Sequence, residues 1–232
     1  MPYPRKILAI KLRSLGDTIL MTAPLLELKA AYPDAEIHAL VTARWAPLLE
    51  NHPAVDRIIS HERHKEATSR AKALARLAFK LRKEHYEYVV CFHASPSSAT
   101  LAFATGARTR SIHFHGHRDK NRYSTVVVPG KGTLKPIIER DMDTVRALGL
   151  EIASGVMPRI FLRDVEKEAA SQRFERLALS GPVLGIGLGA SRPVKSWPVD
   201  RFAALAVSWC QRTSGSAVAF MSAEEQELGH AF

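Results

Sequence analysis

The segment Lys11-Leu12-Arg13-Ser14-Leu15-Gly16-Asp17-Thr18 puts a carboxylate, two cations and a glycine directly after the apolar run Lys6–Leu12. Ligands of open α/β sheets bind at such strand ends. A carboxylate there can take a proton from an attacking hydroxyl. A weak base of this kind works best when proton transfer comes late, as in glycosyl transfer through an oxocarbenium-like state. A plainer reading of the same residues makes Asp17 a helix N-cap and Gly16 a turn residue.

A second segment, Gly185-Ile-Gly187-Leu-Gly189-Ala-Ser191-Arg192-Pro-Val-Lys195-Ser196-Trp197-Pro198, follows a strand and precedes a helix. Its backbone N–H groups, with Ser191 and Lys195, could hold a diphosphate. Gly185-x-Gly187-x-x-Ala190 loosely matches a dinucleotide fingerprint. That motif needs a helix to open at once, and Pro193 and Pro198 delay it. No acid follows at the required distance, so a nicotinamide cofactor is excluded. The alternative is a glycine loop with Trp197 packed in the core.

Two further groups could bind ligands. His113, His115 and His117, with Asp119 nearby, could meet on one face of an extended segment as metal ligands. Exposed loop histidines give the same pattern, and no metal is assigned. The basic stretch Arg57–Lys83 includes Arg63, Lys65, Arg70, Lys72, Arg76, Lys80 and Arg82. Ala67, Leu74, Leu77 and Leu81 fall on one face of its helix, and Lys72, Arg76 and Lys80 recur every four residues on another, so most of the stretch reads as a solvated helix face. It could also be a landing surface for anionic lipid or a phosphorylated sugar.

Alternating elements must position these groups. Strands are predicted at Lys6–Leu12, Ala35–Thr42, Val55–Ser60, Tyr86–His93, Arg110–Phe114, Tyr123–Val128, Pro182–Leu188 and Ser216–Met221. Helices are predicted from Asp17, with Pro24 breaking the first or opening the next, and at Lys65–His85, Ser95–Thr105, Pro136–Leu148, Asp164–Leu179 and Val199–Arg212. Residues Glu224–Phe232 begin another. This alternation means α/β with parallel sheets. Glu151–Leu162 reads as the link between two lobes, and the second lobe has only about two strands.

The chain has 232 residues and a net charge of +10, an attraction for anions that does not by itself name the partner. Its 46% hydrophobic and 24% charged residues are a globular balance. No run is long enough for a membrane helix, and Lys11 and Arg13 cut off any signal-peptide core. Cys91 and Cys210 make no disulfide framework, which favours the cytoplasm. No helix-turn-helix, zinc finger or ribonucleoprotein motif supports nucleic acid as a partner.

Together, Ile7–Leu20 with Thr22-Ala23-Pro24-Leu25, Tyr32–Ile37, Asn51–Asp56 and Gly189-Ala190-Ser191…Lys195-Ser196-Trp197-Pro198 resemble glycosyltransferase family 9, the ADP-heptose:lipopolysaccharide heptosyltransferases. The resemblance implies a GT-B fold of two Rossmann-like lobes, the second incomplete, as in a C-terminally truncated chain. Residues 1–158 would be the acceptor-side domain and 159–232 a partial nucleotide-sugar domain. It implies inverting transfer of heptose from ADP-heptose to the lipopolysaccharide inner core, with ADP-heptose as substrate and no cofactor. Asp17 corresponds to the base, and Gly189, Ser191 and Lys195 to donor ligands. Arg13, Ser14, Arg63, Lys65 and His93 fall on the acceptor side, against lipid A and the inner core at the cytoplasmic membrane surface. Cys91 and His93 stand where the family often has Asp and Gln, which leaves the acceptor sugar open. The second reading is a truncated, non-catalytic fragment that binds anionic sugars or nucleotides without turnover.

Overall fold

The computed structural model describes residues 3–62, 66–93, 95–113, 122–128, 135–153, 155–190 and 193–232. The chain divides into two compact units, Met1–Leu162 and Arg163–Phe232.

The first unit is built on a five-stranded parallel sheet in the order β3-β2-β1-β4-β5. The strands are β1 (Lys6–Lys11), β2 (Glu36–Thr42), β3 (Arg57–His61), β4 (Tyr88–Cys91) and β5 (Thr109–Ile112). The helices are α1 (Leu15–Leu20), α2 (Thr22–Ala31), α3 (Ala67–Lys83), α4 (Pro96–Ala104) and α5 (Ile137–Arg146). Strand side chains alternate between two cores, because successive residues point to opposite faces of a sheet. Ile7, Ala9, Ile37, Ala39, Tyr88 and Val90 pack with Leu25 and Leu28 of α2 and Val145 of α5. Leu8, Ile10, Leu40, Val89 and Cys91 pack with Leu77 and Leu81 of α3 and with α4. A sheet covered on both faces explains why the central strands read as unbroken apolar runs. Met21 separates α1 from α2, and Pro24 sits in the first turn of α2, where its missing N–H costs nothing.

Three expectations need correction. Tyr123–Val128 is not a strand among the described elements. Its hydroxyls bind the edge of the sheet instead. Ser124 Oγ accepts from the Ile112 N–H at 3.2 Å, and Thr125 Oγ1 accepts from the Arg110 N–H at 2.7 Å. Those side chains occupy backbone groups that a neighbouring strand would need. On α3, Leu77 and Leu81 are buried and Leu74 packs against them, but Ala67 is exposed, since the helix opens there, clear of the sheet. Lys72, Arg76 and Lys80 are solvated.

The second unit holds α6 (Asp164–Arg176), β6 (Val183–Gly187), α7 (Val199–Thr213), β7 (Ser216–Phe220) and α8 (Gln226–Ala231). β6 and β7 form a two-stranded parallel sheet. Ile186, Leu188 and Ala206 make its small core, with Phe202, Ala219 and Leu228 packed around them. Trp197 is the third correction. It is 43% exposed and rests edge-on against Phe202 at 4.8 Å, because two strands leave no interior large enough for an indole.

Candidate active site

The strand order of the first sheet reverses between β1 and β4, the switch point at which open α/β sheets leave a crevice beyond their carboxyl ends. A pocket opens there. Lys11, Arg13 and Asp17 enter from the end of β1 and its loop, Phe92 and His93 from the end of β4, and His113 from the end of β5. Ile137, Arg140 and Asp141 close it from α5.

Asp17 is not the N-cap. Ser14 takes that position with extended backbone, and Asp17 is the third residue of α1. Ser14 makes no capping bond either; its Oγ donates to Asp17 Oδ2 at 2.7 Å. The other carboxylate oxygen, Oδ1, lies 3.9 Å from the Lys11 ammonium. The Asp17 side chain is 16% exposed, so it is held from below and open to the pocket. A Cβ on Gly16 would meet nothing within 4 Å, so the backbone beside Asp17 is approachable.

Lys11 itself is 2% exposed. Its Nζ donates to Asp141 Oδ2 at 2.6 Å and to the Phe92 carbonyl at 3.3 Å. Asp141 is 1% exposed, and burial pushes its carboxyl up to about 6 although the Lys11 ammonium pulls it down. Arg13 Nε donates to His93 Nε2 at 3.1 Å, which fixes Nε2 as the acceptor nitrogen of that imidazole. The Nε of Arg140 is buried on the pocket wall with no hydrogen-bond partner among the described residues. Three cations thus surround two carboxylates, an arrangement suited to a hydroxyl-bearing anionic ligand.

The first unit therefore brings together four of the predicted residues, Arg13, Ser14, Asp17 and His93. Arg63, Lys65, Ser191, His115, His117 and Asp119 lie outside the described residues. His113 joins the Asp17 pocket. Cys91 is fully buried under β4; its thiol donates to the His93 carbonyl at 3.3 Å and is pushed up to about 11 by burial. It is a core residue, not a ligand. Asp141 and Arg140 carry no local sequence signal, and Lys11 stands in the sequence only as the start of the loop motif. The available signal was Lys11, a charged residue inside an apolar central strand.

In the second unit, Gly189 lies just past the end of β6, and Lys195 ends a short 3-10 turn with its side chain exposed. A Cβ on Gly189 would run into the Glu225 carboxylate, so a side chain there requires Glu225 to move. Glu225 is fixed there by accepting from the Ser222 N–H at 2.9 Å and the Ser222 hydroxyl at 2.7 Å.

The sequence model for Glycosyltransferase family 9 (heptosyltransferase) matches residues 74–231, more than half of the chain. The chain is 25% identical over 191 residues to lipopolysaccharide heptosyltransferase 3 of Escherichia coli (strain K12), covering 81% of this chain and 55% of that protein. Among solved structures, a glycosyl transferase family 9 protein from Veillonella parvula superposes with a TM-score of 0.81 at 20% identity. That match covers 98% of this chain and 65% of the other. Heptosyltransferase WaaC of E. coli, solved with ADP-2-deoxy-2-fluoro heptose, gives a TM-score of 0.69 at 16% identity, covering 97% and 72%. The chain therefore spans little more than half of the curated relative and under two thirds of the Veillonella protein. The α/β architecture is that of the GT-B heptosyltransferases.

Proposed function

The chain belongs to glycosyltransferase family 9, and on that premise we propose that it moves a heptose, with inversion, from ADP-heptose to the inner core of lipopolysaccharide. One observation carries the mechanism. A part-buried carboxylate, Asp17, stands at the switch point of the sheet with one oxygen held by Ser14 and the other facing Lys11. Asp17 takes the proton of the acceptor hydroxyl as that oxygen bonds to the anomeric carbon. The bond from that carbon to the diphosphate breaks, and ADP leaves with the electron pair. Arg13, Arg140 and His93 line the acceptor side and favour an anionic core sugar. In the same reading Arg63 and Lys65 contact the acceptor.

Residues 159–232 bind the nucleotide sugar through the loop after β6, with Gly189, Ser191 and Lys195 on the diphosphate. The lysine stabilises charge on the departing diphosphate, a role that metal ions fill elsewhere, so neither metal nor cofactor is needed. Residues 1–158 receive the acceptor. The reaction belongs at the cytoplasmic face of the inner membrane, with the basic side of α3 toward anionic lipid and no nucleic acid involved. No helix among the described residues is long and apolar enough to cross a membrane.

The test is transfer from ADP-heptose to a heptose-free core acceptor, with the product weighed by mass spectrometry. Asp17→Asn is expected to lower kcat by about 10²–10⁴-fold, the usual worth of general-base catalysis. ADP affinity by calorimetry should change less than twofold. A loss of turnover below tenfold rejects Asp17 as the base. ADP binding without transfer of any sugar rejects the transferase reading and leaves a nucleotide-sugar-binding chain without turnover.

A further inference from the structure

We propose that Lys11 and Asp141 are positioning residues that fix the Asp17 carboxylate and the positive charge beside it. The inference rests on the reading of Asp17 as the base. Lys11 ends the central strand, directly after Ile7, Leu8, Ala9 and Ile10, each fully buried. An apolar side chain would fill such a position without burying charge. Lysine is almost never fully buried unless paired, and a well-packed apolar pair is often at least as stable as a buried ion pair. Packing therefore gives no reason for the pair, whereas its geometry does.

An ammonium has three donors. Lys11 points one at Asp141 and one at the Phe92 carbonyl, and the same nitrogen lies 3.9 Å from Asp17 Oδ1. Ser14 holds the other oxygen. Asp17 is thus gripped from two sides, and the inner grip is anchored by a residue 130 positions away on α5. The charged and titratable groups that share the pocket with Asp17 come from every element around it. They are Lys11 from β1, Arg13 from its loop, His93 after β4, His113 after β5, and Arg140 and Asp141 from α5. Among the described residues, the ion pair made by Asp17 is the one with Lys11.

The double substitution Lys11→Met with Asp141→Leu tests this, because it removes both charges and keeps the volume. A purely structural pair would leave turnover intact. The positioning role predicts a melting temperature at or above that of the unaltered chain, with kcat down at least tenfold and KM for the donor within twofold. Unchanged kcat overturns the proposal. A second readout needs no turnover. Carbodiimide at one fixed pH should label Asp17 severalfold faster in the double variant, because its carboxylate is no longer held against the Lys11 ammonium, scored by peptide mass spectrometry. Equal labelling overturns the proposal whether or not the chain transfers sugar. Faster labelling in a chain that transfers no sugar supports the Lys11–Asp17 coupling and sinks only the transferase reading. Should the double variant fail to fold, Lys11→Gln removes the charge alone and is labelled by the same protocol.

Discussion

Asp141 is subject to two opposed effects whose balance can be measured. Burial disfavours its ionised form, and the Lys11 ammonium at 2.6 Å favours it. Burial prevails, and the carboxyl is pushed up to about 6. An aspartate in an unfolded chain titrates near 3.9. Between these values the folded state keeps a proton that the unfolded chain has released, so stability falls as pH rises from about 4 to about 6. The gap of about 2 pH units is worth on the order of 3 kcal/mol at roughly 1.36 kcal/mol per unit. Asp141→Asn keeps the shape and removes the titration. The variant should match the unaltered chain near pH 3, where Asp141 is mostly protonated in the folded and the unfolded chain alike. At pH 8 it should be the more stable by up to about 3 kcal/mol. Native-state hydrogen exchange of the β1 and β4 amides is the appropriate assay, since it reports the first unit by itself. A variant less stable than the unaltered chain at pH 8 would refute the reasoning. It would mean that the attraction of the ion pair exceeds the cost of burying it, and that Asp141 stays ionised to well below pH 4.

Two other predictions concern the frame around the site. His52 is 3% exposed; its Nε2–H donates to the Thr22 carbonyl at 3.1 Å and its Nδ1 accepts from the Ala54 N–H at 3.2 Å, so the ring is neutral. Burial lowers its pKa, with the bond to Thr22 partly opposing, so its contribution is complete above about pH 6.5 and is lost as pH falls below that value. His52→Ala should cost about 1–3 kcal/mol at pH 8. It should also flatten the acid limb of the stability curve measured by urea unfolding, and an unchanged acid slope would exclude His52 as its source. Gly106 ends α4 with φ +72°, and a Cβ there would overlap the Arg82 guanidinium. Gly106→Ala should therefore destabilise the first unit by about 1–2 kcal/mol, measured by the same unfolding, and a neutral result would show that the turn relaxes to negative φ.

The parts of this protein that could be read from sequence are those governed by local rules. A buried strand, a short loop with glycine and a following helix are contiguous, so the order of residues alone sets the carboxylate of Asp17 at a strand end. The N-cap reading failed because α1 opens at Leu15, two residues before the predicted start, which makes Asp17 its third residue. Here Ser14 occupies the cap position and the Asp17 carboxylate sits between Ser14 and Lys11. Tyr123–Val128 failed for a different reason. Its composition suits a strand, but hydroxyls on Ser124 and Thr125 satisfy the sheet edge without one.

Asp141 could not be found by reading α5 alone. Ile137–Arg146 carries acids and arginines at spacings that also suit a solvated helix, yet Asp141 and Asp143 are 1% and 5% exposed. What buries them is cationic partners brought by the fold: Lys11 for Asp141, and Lys135 and Arg146 for Asp143. The pair is legible from its other end. Lys11 closes an apolar run that both neighbouring strands must cover, so its ammonium had to meet a counter-charge from outside the sheet. The elements free to supply one at the carboxyl end of β1 are the helices and loops above it. A lysine in a central strand thus predicts a buried acid on a packed helix even while that acid has no number, and at a switch point it predicts the acid beside the chemistry.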